Sequence, residues 1–118
     1  MIQLPRTRRG TKPHAEAVAK ARALVTERVS HWSAVYGIPY GKISIRKQKT
    51  RWGSCSRAGN LSFNYRLGFL PLSLADYVIV HELCHIVQHD HSPAFWALME
   101  KVIPSPKKLR TQLHAYRF

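Results

Sequence analysis

Acidic residues are scarce in this chain of 118 residues. Six Asp and Glu stand against 19 Lys and Arg, the formal net charge is +13, and no acidic residue lies between positions 28 and 75. A field of this sign repels cationic partners and favours polyanions, of which nucleic acid is the commonest cytoplasmic example. The competing interpretation is a solvated basic surface. No zinc finger, helix-turn-helix or other nucleic-acid module is visible, so any such binding would be independent of sequence.

Cysteine and long apolar runs are also scarce. Because Cys55 and Cys84 are the only cysteines, no disulfide framework is indicated and a reducing compartment fits. No apolar run reaches the roughly 18 residues that would span a membrane. The basic N-terminus is not followed by the apolar core of a signal peptide. We therefore expect a cytoplasmic protein of one domain without a membrane partner, whose oligomeric state the sequence does not indicate.

The most informative motif is His81-Glu82-Leu83-Cys84-His85. On a helix, this H-E-x-x-H spacing places both imidazoles on one face, a single turn apart, where they can bind one zinc ion. The glutamate between them reaches a water held by that metal. The motif therefore predicts a hydrolytic zinc site with Glu82 as its catalytic residue.

The surroundings of the motif support this interpretation. Ser73 and Asp76 form a short capping box, and residues 74–87 contain no Pro or Gly and carry apolar side chains on nearly every side, so the helix should be central and buried. Two ordinary core histidines around Glu82 would leave a buried carboxylate without an evident cation, which is costly. Cys84 points away from the ligands and is predicted to be a small core residue rather than a nucleophile.

A candidate third ligand follows the motif. His91 lies immediately before Ser92-Pro93, a pair suited to begin a new helix, so the chain must bend there and can carry His91 back over the metal. His89 is the rival, because it lies on the same helical stripe as the first two histidines. A further turn along a straight helix advances about 5.4 Å, which is too far for a metal with Zn–N bonds of about 2 Å. We therefore favour His91, and three protein ligands leave a fourth position for water.

Further segments flank these residues in a fixed order: Arg51-Trp52-Gly53-Ser54-Cys55, Gly59 to Leu67, Asp76 to His85, His91-Ser92 and Phe95-Trp96. In content, order and spacing they resemble the successive motifs of the YgjP-like metal-dependent hydrolases, a family related to the SprT-like zincins. The resemblance covers residues from about 40 to about 109. It implies the same metal ligands and catalytic glutamate as the motif analysis, namely His81, His85, His91 and Glu82. Asp90 departs from the Asn that family members often have before the His-Ser pair.

The sequence patterns predict an α+β fold, a compact zincin-like domain over 13–118 preceded by a basic, flexible arm over 1–12. Amphipathic periodicity and helix start and stop signals predict helices over 13–36, 73–89, 92–103 and 106–116. Two predicted strands, 42–52 and 60–67, are joined by a turn at 56–59. They predict a small antiparallel sheet packed on the metal-binding helix.

These features predict a zinc-dependent hydrolase, and peptide bonds are its expected substrate. Zinc would polarise the scissile carbonyl and acidify water, while Glu82 would act as general base and then return the proton to the leaving group. An extended protein or peptide substrate would pair with the strand 60–67 as a sheet edge. Candidates for oxyanion or substrate contacts are Tyr65, Arg66 and His89, among which the sequence does not choose.

Two alternatives stay open. One is a zinc hydrolase acting on a non-peptide bond, since the metal chemistry is indifferent to which acyl or amide carbonyl is presented. The other is a basic nucleic-acid-binding protein with a structural zinc, which the net charge favours and Glu82 disfavours. The SprT-like relationship also suggests a protease recruited to nucleic acid. The candidate phosphate contacts are Arg6, Arg8, Arg9, Lys12, Lys47 and Lys49.

Overall fold

Four α-helices, one 3-10 helix and five short strands make up the structure, a computed structural model that describes residues 1–118. In chain order they are β1 (Ile2–Gln3), α1 (Lys12–Tyr36), β2 (Ile43–Arg46), β3 (Gly53–Cys55), β4 (Leu61–Asn64), the 3-10 helix (Tyr65–Phe69), α2 (Leu72–Val87), α3 (Pro93–Glu100), α4 (Pro106–Leu113) and β5 (Tyr116–Arg117). Helices α1, α3 and α4 and strands β3 and β4 pack against α2. The predicted α+β class, with the motif-bearing helix at its centre, is confirmed.

Helix α1 begins and ends close to the residues that its sequence signals predicted. The hydroxyl of Thr11 accepts a hydrogen bond from the amide of His14 (3.4 Å), and a proline lies in the first turn. Gly37 ends the helix with a φ of 69°, a left-handed conformation that glycine adopts without strain. The buried face carries Ala17, Ala21, Val25 and Val29.

The sheet is mixed rather than antiparallel. Its strand order is β2-β4-β3, with β2 parallel and β3 antiparallel to β4. Of the predicted strand 42–52, only Ile43–Arg46 forms a strand, β2, and it does not form a hairpin with β4. The predicted turn at 56–59 instead joins β4 to β3, which begins after the predicted strand ends. The carbonyls of Gln48 and Arg51 in the loop between β2 and β3 accept hydrogen bonds from the Asn64 side chain, both of 3.0 Å. Because β2 and β3 pair with opposite sides of β4, β4 is the central strand. The expectation that residues 60–67 form a sheet edge is therefore wrong.

An ion pair, and not a capping box, ties the start of α2 to α1. The helix begins after Pro71, and no side chain caps it. Asp76 accepts two hydrogen bonds from Arg28 of α1, of 2.8 and 2.9 Å, and this bonding raises the pKa of Arg28. The predicted capping role of Asp76 is wrong because a guanidinium from another helix binds its carboxylate in a bidentate pair.

The two termini pair with each other. Strand β1 forms a two-stranded parallel sheet with β5, and the side chain of Leu4 is buried. Arg6 donates hydrogen bonds of 3.2 and 3.3 Å to a carbonyl oxygen of Phe118. The structure differs here from the flexible arm expected over 1–12, because the contacts that hold this segment come from the far end of the chain.

The helices that follow the sheet are shorter than predicted. Helix α2 ends at Val87, α3 at Glu100 and α4 at Leu113, after which the chain enters β5. Residue His89 therefore lies outside α2. None of the helices combines the length and the apolar character needed to cross a lipid bilayer.

Candidate metal centre

Three histidine side chains converge at the C-terminal end of α2. His81 and His85 lie one turn apart on this helix, and His91 follows in the loop before α3. The Nε2 atom of His91 lies 3.0 Å from Nε2 of His85 and 3.1 Å from Nε2 of His81. The chain turns back here because α2 ends at Val87 and Pro93 begins α3.

The arrangement fits one metal ion. Ligand nitrogens around a tetrahedral zinc lie about 3.3 Å apart when each Zn–N bond is about 2.0–2.1 Å, close to the observed separations of 3.0 and 3.1 Å. The ligand atoms of all three histidines lie within 4.8 Å of one another. Burial, together with the neighbouring His81 and His85, lowers the pKa of His91. This shift favours the neutral imidazole that binds a metal.

Hydrogen bonds at the other ring nitrogens orient the two helical histidines. Nδ1 of His85 lies 2.9 Å from the carbonyl oxygen of Gln88, the residue that follows α2. Nδ1 of His81 lies 3.2 Å from Oε2 of Glu82. A ring that donates through Nδ1 directs the lone pair of Nε2 toward the metal position. The fully buried ring of Phe95 packs against all three imidazoles, with centroids between 4.4 and 5.1 Å away.

Glu82 is 7% exposed and lies against strand β3. At Gly53 of this strand, a Cβ atom would lie 3.1 Å from Cγ of Glu82, 3.1 Å from the carbonyl oxygen of Ser62 and 3.2 Å from the ring of Phe63. These separations are tighter than most contacts of a Cβ atom, so a side chain here would push its neighbours away by a few tenths of an ångström. The glycine therefore lets the strand approach the carboxylate closely.

A cleft of about 600 Å³ lies over these residues. Helix α2 contributes its floor, β3 with the two residues before it contributes one wall, and α4 with the following residue contributes the other. Apart from the motif, the side chains that border it include Arg51, Trp52, Tyr77, His89, Arg110 and His114. A molecule bound in the cleft would lie between β3 and α4, next to the histidine cluster.

Of the residues predicted as oxyanion or substrate contacts, only His89 borders the cleft. Tyr65 is fully buried against α1, and its hydroxyl accepts a hydrogen bond of 3.4 Å from the amide of Thr7. Arg66 is also buried, and its guanidinium donates a hydrogen bond of 3.1 Å to the carbonyl of Gln48. The predictions for Tyr65 and Arg66 are wrong because both side chains pack into the interior, where the chain has already left β4 for the 3-10 helix.

Tyr77, Arg110 and His114 are among the cleft residues that were not selected from the sequence. Tyr77 lies one helical turn before His81, their ring centroids are 5.8 Å apart, and burial raises the pKa of Tyr77 to about 12. Its spacing of four from the first ligand is a signal that could have identified it. Arg110 and His114 share the same spacing, but only the packing of α4 on α2 brings them to the cleft.

The residues predicted as phosphate contacts border two other grooves. Arg9 and Lys47 border one of about 500 Å³, and Arg6 and Lys49 border a second of about 470 Å³. Arg8 and Lys12 are exposed and border neither of these two grooves. Their part in nucleic-acid binding stays a prediction.

The α+β fold and the cluster of three histidines together define a class of protein. A helix that presents two histidines around a buried glutamate, with a third histidine beyond its end, is the arrangement of metal-dependent hydrolases of the H-E-x-x-H type. The chain belongs to the YgjP-like family: the sequence model described as "YgjP-like, metallopeptidase domain" matches residues 11–116. The resemblance noted in the sequence is confirmed, and the family supports a metal-dependent protease.

Solved structures show the same fold. The metallopeptidase zymogen abylysin of Pyrococcus abyssi is 25% identical, with a TM-score of 0.71 over 77% of this chain and 92% of that one. The metallopeptidase zymogen jannalysin of Methanocaldococcus jannaschii is 18% identical, with a TM-score of 0.68 over 77% of this chain and 94% of that one. A search of curated proteins gave no match.

Proposed function

We propose that this protein is a zinc-dependent metalloendopeptidase. His81, His85 and His91 would hold the metal, and Glu82 would be the general base. The observation that carries the proposal is the convergence of three Nε2 atoms, at separations of 3.0 and 3.1 Å, beside a buried carboxylate on the same helix. Three protein ligands leave one tetrahedral position free, as in catalytic rather than structural zinc sites.

Zinc, when bound, would polarise the scissile carbonyl and make water a stronger acid. The carboxylate of Glu82 would take a proton from the attacking water and deliver it to the nitrogen of the leaving amine. His81 holds this carboxylate through Nδ1, 3.2 Å from Oε2. Cys84 would take no part, because it is fully buried and burial raises its pKa to about 12.

Strand β3 would align the substrate. Since β4 is paired on both sides, β3 and not β4 is the sheet edge that borders the cleft. An extended peptide can add to such an edge through backbone hydrogen bonds, while its side chains occupy flanking pockets. The scissile carbonyl would then lie between the strand and the histidine cluster. Of the three oxyanion candidates from the sequence, His89 is the one that borders the cleft, and it stays a candidate.

The decisive test is Glu82→Gln, measured by metal analysis and by hydrolysis of a denatured protein. The substitution keeps the size and polarity of the side chain but removes the base. We expect about one zinc ion per chain to be retained while hydrolysis falls by roughly 10²–10⁴. The matched control is Glu100→Gln, since Glu100 is exposed on α3 and outside the cleft. Unchanged hydrolysis in metal-loaded Glu82→Gln would contradict the mechanism.

A further inference from the structure

Two arginines border the cleft, one on the side of β3 and one on the side of α4. Arg51 lies two residues before β3, and Arg110 lies on α4. Both side chains are exposed, and neither makes a salt bridge: the ion pairs of the molecule are Lys12–Glu16, Arg28–Asp76 and His81–Glu82. The two guanidinium groups are therefore free to bind an anion.

Trp96 contacts both Arg110 and His91. The guanidinium carbon of Arg110 lies 5.5 Å from the centroid of the Trp96 ring, and this ring stacks on His91 with centroids 6.1 Å apart. A cation held over an aromatic face keeps its charge and its hydrogen-bond donors. Arg110 thus presents a positive charge to any molecule bound near the candidate metal position.

Arg51 is the point at which the cleft joins a second groove. This groove, of about 440 Å³, runs over the outer face of the sheet and shares Arg51, Ser54 and Cys55 with the cleft. Ser44, Ser62 and Ser54 lie opposite one another in the register of the three strands. Lys42 and Arg46 also border the groove, and no carboxylate does.

Apart from Glu82 and the histidines, the charged side chains that border the cleft and the second groove are all positive. Glu82 is the only carboxylate that borders the cleft, and it lies on α2 with Oε2 3.2 Å from Nδ1 of His81. A substrate with basic side chains would meet like charges on both walls, whereas a substrate with acidic side chains would meet a free guanidinium on each. Arginine is well suited to this role because its planar fork matches a carboxylate.

We propose that the cleft selects peptides with Asp or Glu on both sides of the cleaved bond, with Arg51 and Arg110 as the specificity-determining residues. The inference rests on the proposed peptidase function. It goes beyond that function in naming the substrate class, and it assigns a role to two residues that lie outside the metal-binding motif.

The test uses one peptide sequence, chosen by mass spectrometry from a site cleaved in a denatured protein. Three versions carry Glu, Gln or Lys at the positions flanking the cleaved bond. We expect kcat/KM to fall in the order Glu, Gln, Lys. In Arg51→Gln and Arg110→Gln, the ratio of the Glu to the Gln peptide should fall toward one, by about 1.5- to fivefold for each arginine. The control Arg22→Gln removes an equal charge from an exposed position of α1 outside the cleft and should leave the ratio unchanged.

Binding of the same peptides to metal-loaded Glu82→Gln, followed by fluorescence anisotropy, separates this inference from the proposed function. Preferential binding of the Glu peptide, together with hydrolysis that Glu82→Gln does not reduce, would support the inference and contradict the proposed mechanism. Cleavage with equal kcat/KM for Glu and Gln peptides would overturn the inference alone. It would also be overturned if both arginine variants weakened the binding of a short single-stranded oligonucleotide while the Glu to Gln ratio stayed the same.

Discussion

His91 is the ligand candidate whose position depends most on the fold. Unlike His81 and His85, it is not on the motif helix, and its side chain is exposed. Its ring is held by Phe95 and Trp96, with centroids 5.1 and 6.1 Å away. His89, two residues earlier, borders the cleft but does not belong to the cluster of converging nitrogens. The geometry favours His91 over His89, as did the helix rise and the bend before Ser92-Pro93, and the ligand assignment stays a prediction.

A pair of alanine variants tests this assignment. His91→Ala should lower the zinc content to well under one ion per chain, because two ligands bind the metal far more weakly than three. His89→Ala should leave it at about one, since this residue is outside the cluster. The measurement is zinc analysis of the purified proteins after dialysis against a weak chelator. Zinc retained in His91→Ala and lost in His89→Ala would reverse the assignment.

At the scale of elements, the approach of β3 to α2 decides the geometry of the catalytic glutamate candidate. Gly53 allows this approach, because a Cβ atom there would be 3.1 Å from Cγ of Glu82. The neighbouring backbone of Ser62 is equally close, so a larger residue can be accommodated only if the strand or the carboxylate moves. The element that is proposed to bind substrate therefore also positions the base.

We expect Gly53→Ala to reduce kcat/KM by up to about tenfold, because the atoms around the new Cβ must move by a few tenths of an ångström, and a misplacement of about 1 Å in a catalytic group costs roughly a hundredfold. Zinc content should stay unchanged, and the free energy of unfolding should fall by about 1–3 kcal/mol from overpacking. The control is Gly68→Ala, where the nearest atoms to a new Cβ are 3.6 to 3.8 Å away. Full activity in Gly53→Ala, measured on the same peptide, would show that β3 can shift without disturbing Glu82.

At the scale of the whole molecule, the net charge of +13 is spread over several grooves. The basic N-terminal segment takes part in this distribution although it is packed against the body of the protein. Lys47 donates a hydrogen bond of 2.9 Å to the carbonyl of Thr7. This bond joins the N-terminal segment to the loop after β2, and both contribute residues to the groove that Arg9 borders. The segment is thus a surface rather than a free arm.

If this surface binds nucleic acid, affinity should be similar for unrelated DNA sequences and should fall by about tenfold or more between about 50 and 200 mM salt. Replacing Arg6, Arg8, Arg9 and Lys12 with Gln should reduce the slope of log affinity against log salt by about 0.9 for each phosphate that the protein no longer neutralises. Zinc content and peptide hydrolysis without DNA should not change. Absence of DNA binding at 50 mM salt would leave the charge as a feature of solubility and substrate selection.

The sequence by itself determined the chemistry that depends on local spacing. The motif from His81 to His85 needs only one helical turn to bring its histidines together, and Ser92-Pro93 needs only local backbone preferences to bend the chain at His91. The end of α1 at Gly37 could likewise be predicted, because glycine adopts the left-handed conformation that ends a helix without strain. For the same reason the helices and the α+β class could be predicted, with errors of a few residues where the helices end.

The tertiary structure alone decided which residues share a surface. The sheet order depends on β2 and β3 pairing with opposite sides of β4, and the pairing of Asp76 with Arg28 replaces a local cap. Tyr65, 16 residues before the motif, is buried away from the cleft, whereas Arg110, 25 residues after the motif, borders it. The physical reason is that these contacts join positions many residues apart. Each depends on how whole elements pack, and residue spacing carries no information about that packing.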